Sequence, residues 1–154
     1  MYRKILVPLD GSGHAEAILR QVEEMARRDG AQLVLLRVVE SQGALIDPNE
    51  NTLKLMLDDS DRRQIEASHY LHARAGELRS LGLNVVTRLA RGPVVRSILD
   101  TAEAENVDLI AMSTRGRTGL GQMLYGSVAM GVLHGAQRPL LLIRAADIRA
   151  SLAV

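Results

Sequence analysis

Short apolar runs of strand length alternate along this chain with segments whose apolar residues recur at helical spacing. The clearest run, Gln32–Val39, is nearly continuous rather than alternating, as expected of a strand covered on both faces. Strands of this kind belong to parallel sheets, whose neighbouring strands are joined by helices. The alternation therefore predicts an α/β fold, with a single open parallel sheet and helices on both of its faces.

The predicted elements follow one another in a regular order. Strands are predicted at residues 4–9, 32–39, 83–89, 108–112 and 139–143. Helices are predicted at 14–28, from 58–61 to 81, from Pro93 onward, and from about 127. Residues 41–59 show no clear period and are predicted to be a long connection, with at most one helical turn around 53–57. Gly131 and Gly135 share a helix face, where the missing side chains would allow close backbone approach.

Composition limits the classes of function. The 154 residues fit one domain, with a core of about 1–144 and a tail at 145–154. Without cysteine, the chain has no thiol catalysis, thiolate metal site or disulfide, and a cytoplasmic location is expected. A net charge of +1 and the absence of Phe and Trp disfavour nucleic-acid binding. No apolar run has the length of a signal peptide core or membrane span, so no membrane association is expected.

A glycine-rich segment, residues 112–128, lies between the fourth predicted strand and the helix after it. Its glycines, and the serine at the predicted start of the helix, are Gly116, Gly119, Gly121, Gly126 and Ser127. Such a loop exposes backbone N–H groups to an anion, and the helix terminus adds positive potential. The segment therefore favours phosphate as a ligand, with a mobile surface loop as the alternative.

A second turn cluster, Asp-Gly-Ser-Gly at residues 10–13, ends the first predicted strand. If the strand order is 3-2-1-4-5, both loops meet in one crevice, because open sheets bind ligands where the strand order reverses. Asp10 is then either a ligand contact or an ordinary turn former. Arg115 and Arg117 are either phosphate partners or solvated charges. A helix dipole alone contributes only about 0.3–1 kcal/mol to holding an exposed anion, so tight phosphate binding needs further charge.

Three segments together carry a resemblance to a known family. They are Lys4-Ile-Leu-Val-Pro-Leu-Asp-Gly-Ser12, the pair Gly116 and Gly126-Ser127 with nine residues between the glycines, and Pro139-Leu-Leu-Leu-Ile-Arg144. On these residues the chain resembles the universal stress protein family over nearly its whole length. The resemblance implies a Rossmann-like sheet of order 3-2-1-4-5 and a homodimer paired through the last strand, near Leu140 and Ile143. One branch of the family binds ATP, and the resemblance to that branch implies bound ATP here.

The resemblance further implies roles for individual residues in binding ATP, with Mg²⁺. The nucleoside would contact Pro8, Asp10, Val38 and Met112, with Asp10 near the ribose or the metal. The phosphates would contact Gly116, Gly126, Ser127 and Val128, with Arg115 and Arg117 as basic partners. The ATP-binding branch has a glycine where this chain has Ser113. A Cβ at that position can crowd a backbone that approaches phosphate, although the serine hydroxyl can donate to an oxygen.

Dedicated catalysis is not predicted. In Gly11-Ser-Gly13-His-Ala-Glu16 a glutamate stands where a dinucleotide fingerprint needs glycine, and the later loop lacks the lysine of a P-loop. His69 and His72 lack the accompanying pattern of a metal site. Together with the glycine-rich loop, the resemblance implies an ATP-binding, dimeric sensor or switch in stress response. The alternatives are a non-nucleotide interaction module of the same fold and, as the most catalysis expected, a slow ATPase.

Overall fold

The computed structural model describes residues 1–40, 50–115 and 126–145. Within these residues the strands form a five-stranded parallel sheet in the order β3-β2-β1-β4-β5. The strands are β1 (Lys4–Pro8), β2 (Gln32–Val39), β3 (Val85–Arg91), β4 (Leu109–Arg115) and β5 (Leu140–Ala145). The parallel sheet and its predicted order are confirmed.

Helices cover both faces of the sheet, as predicted. They are α1 (Gly13–Glu16), α2 (Leu19–Asp29), α3 (Glu50–Ser80), α4 (Val94–Ala104) and α5 (Ser127–Gly135). Successive strand residues point to opposite faces, which divides the core into two layers. On β1, Ile5 packs in the layer beneath α2 and α3, while Leu6 packs in the layer beneath α4 and α5. Both side chains are fully buried.

The segment predicted as one helix at 14–28 forms two helices. Ser12 caps α1, since its hydroxyl oxygen accepts the N–H of Ala15 at 3.1 Å. The N–H of Ala17 then bonds the carbonyl of His14, three residues back, at 3.3 Å. This tightens the turn and ends α1, so α2 begins as a separate helix at Leu19.

The prediction of a long connection over residues 41–59 was wrong for residues 50–59, which belong to α3. Residues 41–49 lie outside the described residues. Leu55 and Leu57 are 70% and 58% exposed, so this part of α3 buries no continuous apolar face and shows no helical period in the sequence. Pairs between Asp59 and the next turn, with Arg62 at 2.8 Å and with Arg63, support the helix there.

Two details bear on the site. Strand β4 continues to Arg115, so Ser113 belongs to the strand rather than to the loop after it, and pairs with Ile143 of β5. Pro93 caps α4 with an extended backbone instead of forming its first residue. No helix in the described parts of the chain is long and apolar enough to cross a membrane.

The close approach that Gly131 and Gly135 allow is present in the structure. A Cβ on Gly131 would lie 2.7 Å from Cγ2 of Val95, and one on Gly135 would lie 2.5 Å from Cδ1 of Leu99. Both contacts come from α4. The two glycines therefore let α5 pack closely on α4.

Candidate functional site

A crevice of about 370 Å³ opens at the carboxyl ends of β1, β2 and β4, on the face covered by α4 and α5. The strand order reverses between β1 and β4, which is where open α/β sheets bind ligands. The register between these two strands pairs Ile5 with Leu109 and Leu6 with Ile110, near their amino ends. The crevice lies where β1 and β4 continue past this paired region, and its volume falls in the range of small-molecule sites.

Apolar side chains from the sheet and the helices form the floor of the crevice. They are Pro8, Leu36, Val38, Val94, Ile98, Met112 and Ala129. Leu36 and Ile98 are buried in the core, whereas Val38 is only half-buried at the end of its strand. The floor therefore offers the end of the sheet as an apolar surface, which suits a planar group such as a nucleobase.

Asp10 forms a polar wall on the β1 side, just beyond the end of the strand. Its Oδ1 accepts the N–H of Ser12 at 2.9 Å and the hydroxyl of Ser12 at 2.5 Å. The same serine caps α1 through Ala15, whose side chain also lines the crevice. The bonds from Ser12 thus set the orientation of the exposed Asp10 carboxylate relative to α1.

Ser113 forms part of the opposite wall, on β4. Its side chain is half-buried, and its hydroxyl donates to the backbone carbonyl of His14 in α1. The hydroxyl that sequence analysis considered as a donor to a ligand oxygen is therefore bonded to α1. Because these residues are 99 positions apart, no local pattern in the sequence could have revealed the bond.

α1 is also attached to α3. The hydroxyl of Tyr70 donates to Oε1 of Glu16 at 2.8 Å. Burial, followed by this bond to a carboxylate, raises the pKa of Tyr70 well above its ordinary value, so the phenol stays protonated and remains a donor. The single turn of α1 is thus bonded to β4, to the Asp10 loop and to α3.

The start of α5 forms the third side of the crevice. Gly126 is its N-cap, and Ser127, predicted to begin the helix, is its first residue. The carbonyl of Gly126 accepts the N–H of Met130 at 3.0 Å, while the earlier N–H groups of the helix have no intrahelical acceptor. Gly126, Ser127 and Val128 all line the crevice. The positive end of the α5 dipole therefore lies beside it.

Eight of the eleven residues predicted for the site line this crevice. They are Pro8, Asp10, Val38, Met112, Ser113, Gly126, Ser127 and Val128. Arg115 is the last residue of β4, and Gly116 and Arg117 lie outside the described residues. Sequence reasoning missed Leu9, Ala15, Leu36, Val94, Ile98, Thr114 and Ala129. Of these, Leu36 could have been found, because it lies two residues before Val38 on the same face of β2.

The described residues hold no group of three or more His, Cys, Asp or Glu side chains placed to bind a metal ion. Nδ1 of His72, one of the two histidines considered in the sequence, lies 2.7 Å from the carbonyl of Ser68 in its own helix. Asp10 is the carboxylate that lines the crevice. A divalent cation there would need most of its oxygen ligands from a bound phosphate, which suits Mg²⁺.

Comparisons with known proteins agree with this architecture. Residues 1–144 match the model of the universal stress protein family. Universal stress protein MJ0577 of Methanocaldococcus jannaschii is 28% identical over 161 residues, 94% of this chain and 96% of the relative. The solved structure of MJ0577 has a TM-score of 0.80 at 27% identity, covering 96% of this chain and 99% of that one.

Two further relatives extend the comparison. A universal stress protein of Thermus aquaticus is 32% identical over 146 residues, 94% of this chain and 100% of the relative. A universal stress protein of Archaeoglobus fulgidus, solved in complex with dAMP, has a TM-score of 0.64 at 22% identity, covering 92% of this chain and 98% of that one. The likeness to this last structure shows a shared fold.

Proposed function

The chain belongs to the universal stress protein family, and we propose that it binds an adenine nucleotide, ATP first among the candidates, in the crevice between β1 and β4. In this proposal it is a dimeric, nucleotide-dependent switch in stress response. One observation carries the proposal: the crevice combines an apolar floor, a carboxylate and the N-terminus of a helix. These three features match the base, the sugar and the phosphates of a nucleotide.

Each part of the ligand has a counterpart in the crevice. The base would lie on the floor between Val38 and Met112, and the ribose hydroxyls would donate to Asp10. The phosphates would accept from the first N–H groups of α5, beginning at Ser127. The dAMP complex of the Archaeoglobus fulgidus protein is consistent with an adenine nucleotide on this fold.

The phosphate end needs more positive charge than α5 supplies, since a helix dipole contributes only about 0.3–1 kcal/mol at an exposed site. We assign the additional charge to Mg²⁺, held through phosphate oxygens and Asp10, and to Arg115 and Arg117. Gly116 would let the backbone approach the same phosphates. Because the described residues that line the crevice include no general base committed to attack on the γ-phosphate, hydrolysis would be slow at most.

The proposed homodimer pairs through β5, which forms one edge of the sheet. An edge strand carries unpaired backbone donors and acceptors along its free side. The apolar residues from Leu140 to Ile143 are only half-buried in the single chain, and Leu133 of α5 is 47% exposed. Pairing two chains along this edge would cover these groups. Sedimentation equilibrium at micromolar protein concentration should give twice the mass of the chain.

The experiment is a search for bound nucleotide. Protein purified without added nucleotide is denatured, and the released small molecules are identified by mass spectrometry. Emptied protein is then titrated calorimetrically with ATP, with and without Mg²⁺, and with AMP, cyclic AMP and GTP. We expect adenine nucleotide in the released fraction and tighter binding of ATP than of GTP. Absence of released nucleotide, together with no heat from ATP at millimolar concentration, would reject the proposal and favour the interaction module.

A further inference from the structure

We infer that Ser113 is a positioning residue: its hydroxyl fastens α1 to β4 and thereby helps to orient Asp10 for the sugar end of the ligand. The inference rests on the proposed nucleotide binding and deepens it. It gives a function to the one residue that differs from the glycine motif of the ATP-binding branch. It also predicts that Ser113 affects a part of the ligand that it does not touch.

The hydroxyl of Ser113 already has a hydrogen-bond acceptor within the protein. A serine hydroxyl has a single proton, and here that proton is donated to the carbonyl of His14. While this bond is made, Ser113 cannot donate to a phosphate oxygen. Its effect on the ligand must therefore pass through α1.

The cap of α1 contributes to the orientation of the Asp10 carboxylate. A one-turn helix has no independent stability, so bonds to its surroundings decide where it lies. At its start, Ser12 caps the turn through Ala15 and bonds Asp10 through both its hydroxyl and its N–H. In the middle of the turn, the His14 carbonyl is bonded to Ser113. A continuous set of bonds therefore joins the β4 wall of the crevice to the carboxylate on the β1 wall.

Removal of the Ser113 hydroxyl should loosen α1 without unfolding the protein. The carbonyl of His14 would still accept the N–H of Ala17 at 3.3 Å, so it keeps a partner. Glu16 would still be bonded to Tyr70 of α3. The expected result is a local gain in motion at residues 12–17, with the fold preserved.

The test compares Ser113→Ala and Ser12→Ala with a matched control, Ser80→Ala. The hydroxyl of Ser80 also donates to a backbone carbonyl, that of Glu77 at 2.6 Å, but at the exposed end of α3. Amide hydrogen exchange of residues 12–17 is measured without ligand. Affinities for adenosine and for ATP are then measured by calorimetry without Mg²⁺, because Asp10 is assigned to the metal as well as to the ribose. Adenosine serves as the probe because it has the base and the ribose but no phosphate.

We expect Ser113→Ala to speed exchange at residues 12–17 and to weaken adenosine and ATP by the same factor, about three- to tenfold for one hydrogen bond. Ser12→Ala should do the same at least as strongly, and Ser80→Ala should change neither quantity. A loss confined to ATP would overturn the inference, because it would mean that Ser113 contacts a phosphate. If hydrogen exchange at residues 12–17 were unchanged in Ser113→Ala while the wild type bound both ligands, the positioning role of Ser113 would be overturned and the proposed function would stand. Failure of the wild type to bind adenosine and ATP would overturn the proposed function and this inference with it.

Discussion

The two ends of the parallel strands use polar residues in opposite ways. We call the end where the strands begin the amino edge and the end where they finish the carboxyl edge. At the amino edge, where the strands begin, Asp108 accepts the backbone N–H groups of Arg3 at 2.8 Å and Lys4 at 3.1 Å. Nearby, Glu105 forms ion pairs with Lys4 and with Arg88. At the carboxyl edge, Asp10 and the first residues of α5 surround an open crevice instead. The amino edge is therefore suited to joining structural elements, and the carboxyl edge is suited to binding a ligand.

If this division is correct, changes at the carboxyl edge should alter binding, and changes at the amino edge should alter stability. The largest effect is expected for Gly126→Val. The backbone of Gly126, at φ −56° and ψ 153°, is open to any residue, and an added Cβ meets no described atom within 4 Å. The valine side chain would therefore occupy space beside the first N–H groups of α5 without straining the fold.

We expect Gly126→Val to weaken ATP binding about tenfold to a hundredfold, the equivalent of roughly 1–3 kcal/mol of steric conflict. Its free energy of unfolding should fall by less than about 1 kcal/mol, since valine is a poor N-cap. The control is Arg20→Ala, because this side chain is 85% exposed on α2, away from the crevice. Equal losses of ATP affinity in the two variants, measured by calorimetry, would remove the crevice from consideration.

The next effect is expected at the amino edge, for Asp108→Ala. Two backbone N–H groups at the start of β1 would lose their acceptor, so the free energy of unfolding should fall by about 1–3 kcal/mol. Urea denaturation measures this quantity. Asp100→Ala is the matched control, because that carboxylate pairs at 2.8 Å with Arg96 of the same helix. If Asp108→Ala lowered the free energy of ATP binding by more than it lowered the free energy of unfolding, the two edges would be coupled.

The sequence predicted those parts of the site that follow directly from strand ends. Continuous apolar runs identify parallel strands, and the residues at their carboxyl ends then share one edge by geometry. Asp10, in the loop after β1, was placed at the crevice in this way, whereas Val38 and Met112 were assigned only through the resemblance to the family. Ser127 was found because a glycine-rich loop before a helix is itself a local pattern.

Such local patterns could not predict contacts between segments that are distant in the sequence. Which carbonyl the Ser113 hydroxyl meets depends on how α1 packs on β4, and no spacing in the sequence encodes that contact. The first turns of α3 were missed for another reason. A helical spacing of apolar residues appears in a sequence only where one face of the helix is buried. Leu55 and Leu57 are helical but largely exposed, so this spacing is absent there.

A third prediction tests what places α5 at the carboxyl edge. In Gly131→Ala the new Cβ would press on Val95, a stiff branched side chain, at 2.7 Å. We expect the free energy of unfolding to fall by about 1–2 kcal/mol, because overpacking outweighs the roughly 0.5–1 kcal/mol that alanine gains in a helix. Gly135→Ala should cost less, since the atom that it meets is the flexible end of Leu99.

The packing explanation requires that Val95→Ala offset part of this loss in the double variant with Gly131→Ala, as measured by urea denaturation. If the two losses simply add, Val95 is not the obstacle. ATP affinity should fall less in Gly131→Ala than in Gly126→Val. Gly131→Ala changes the packing of α5 on α4, whereas Gly126→Val changes the N-terminus of α5 beside the crevice.

The smallest expected effect concerns acid and the amino edge. The hydrogen bond from Arg88, helped by Lys4, holds the pKa of Glu105 below its usual value. Because the folded-state pKa is the lower one, the stabilisation is present above the unfolded-state pKa of about 4.3. It is lost as the pH falls through the folded-state pKa. Glu105→Gln should therefore lose less free energy of unfolding than the wild type between about pH 5 and pH 3.

The difference should stay below about 1 kcal/mol, because the Arg88 side chain is 47% exposed and the pair is screened by water. Glu103→Gln, at an exposed position of α4, is the matched control and should follow the wild-type curve. Urea denaturation across this pH range measures all three proteins. If Glu105→Gln lost as much stability in acid as the wild type, the ion pairs of Glu105 would not stabilise the amino edge. That edge would then depend on the hydrogen bonds of Asp108.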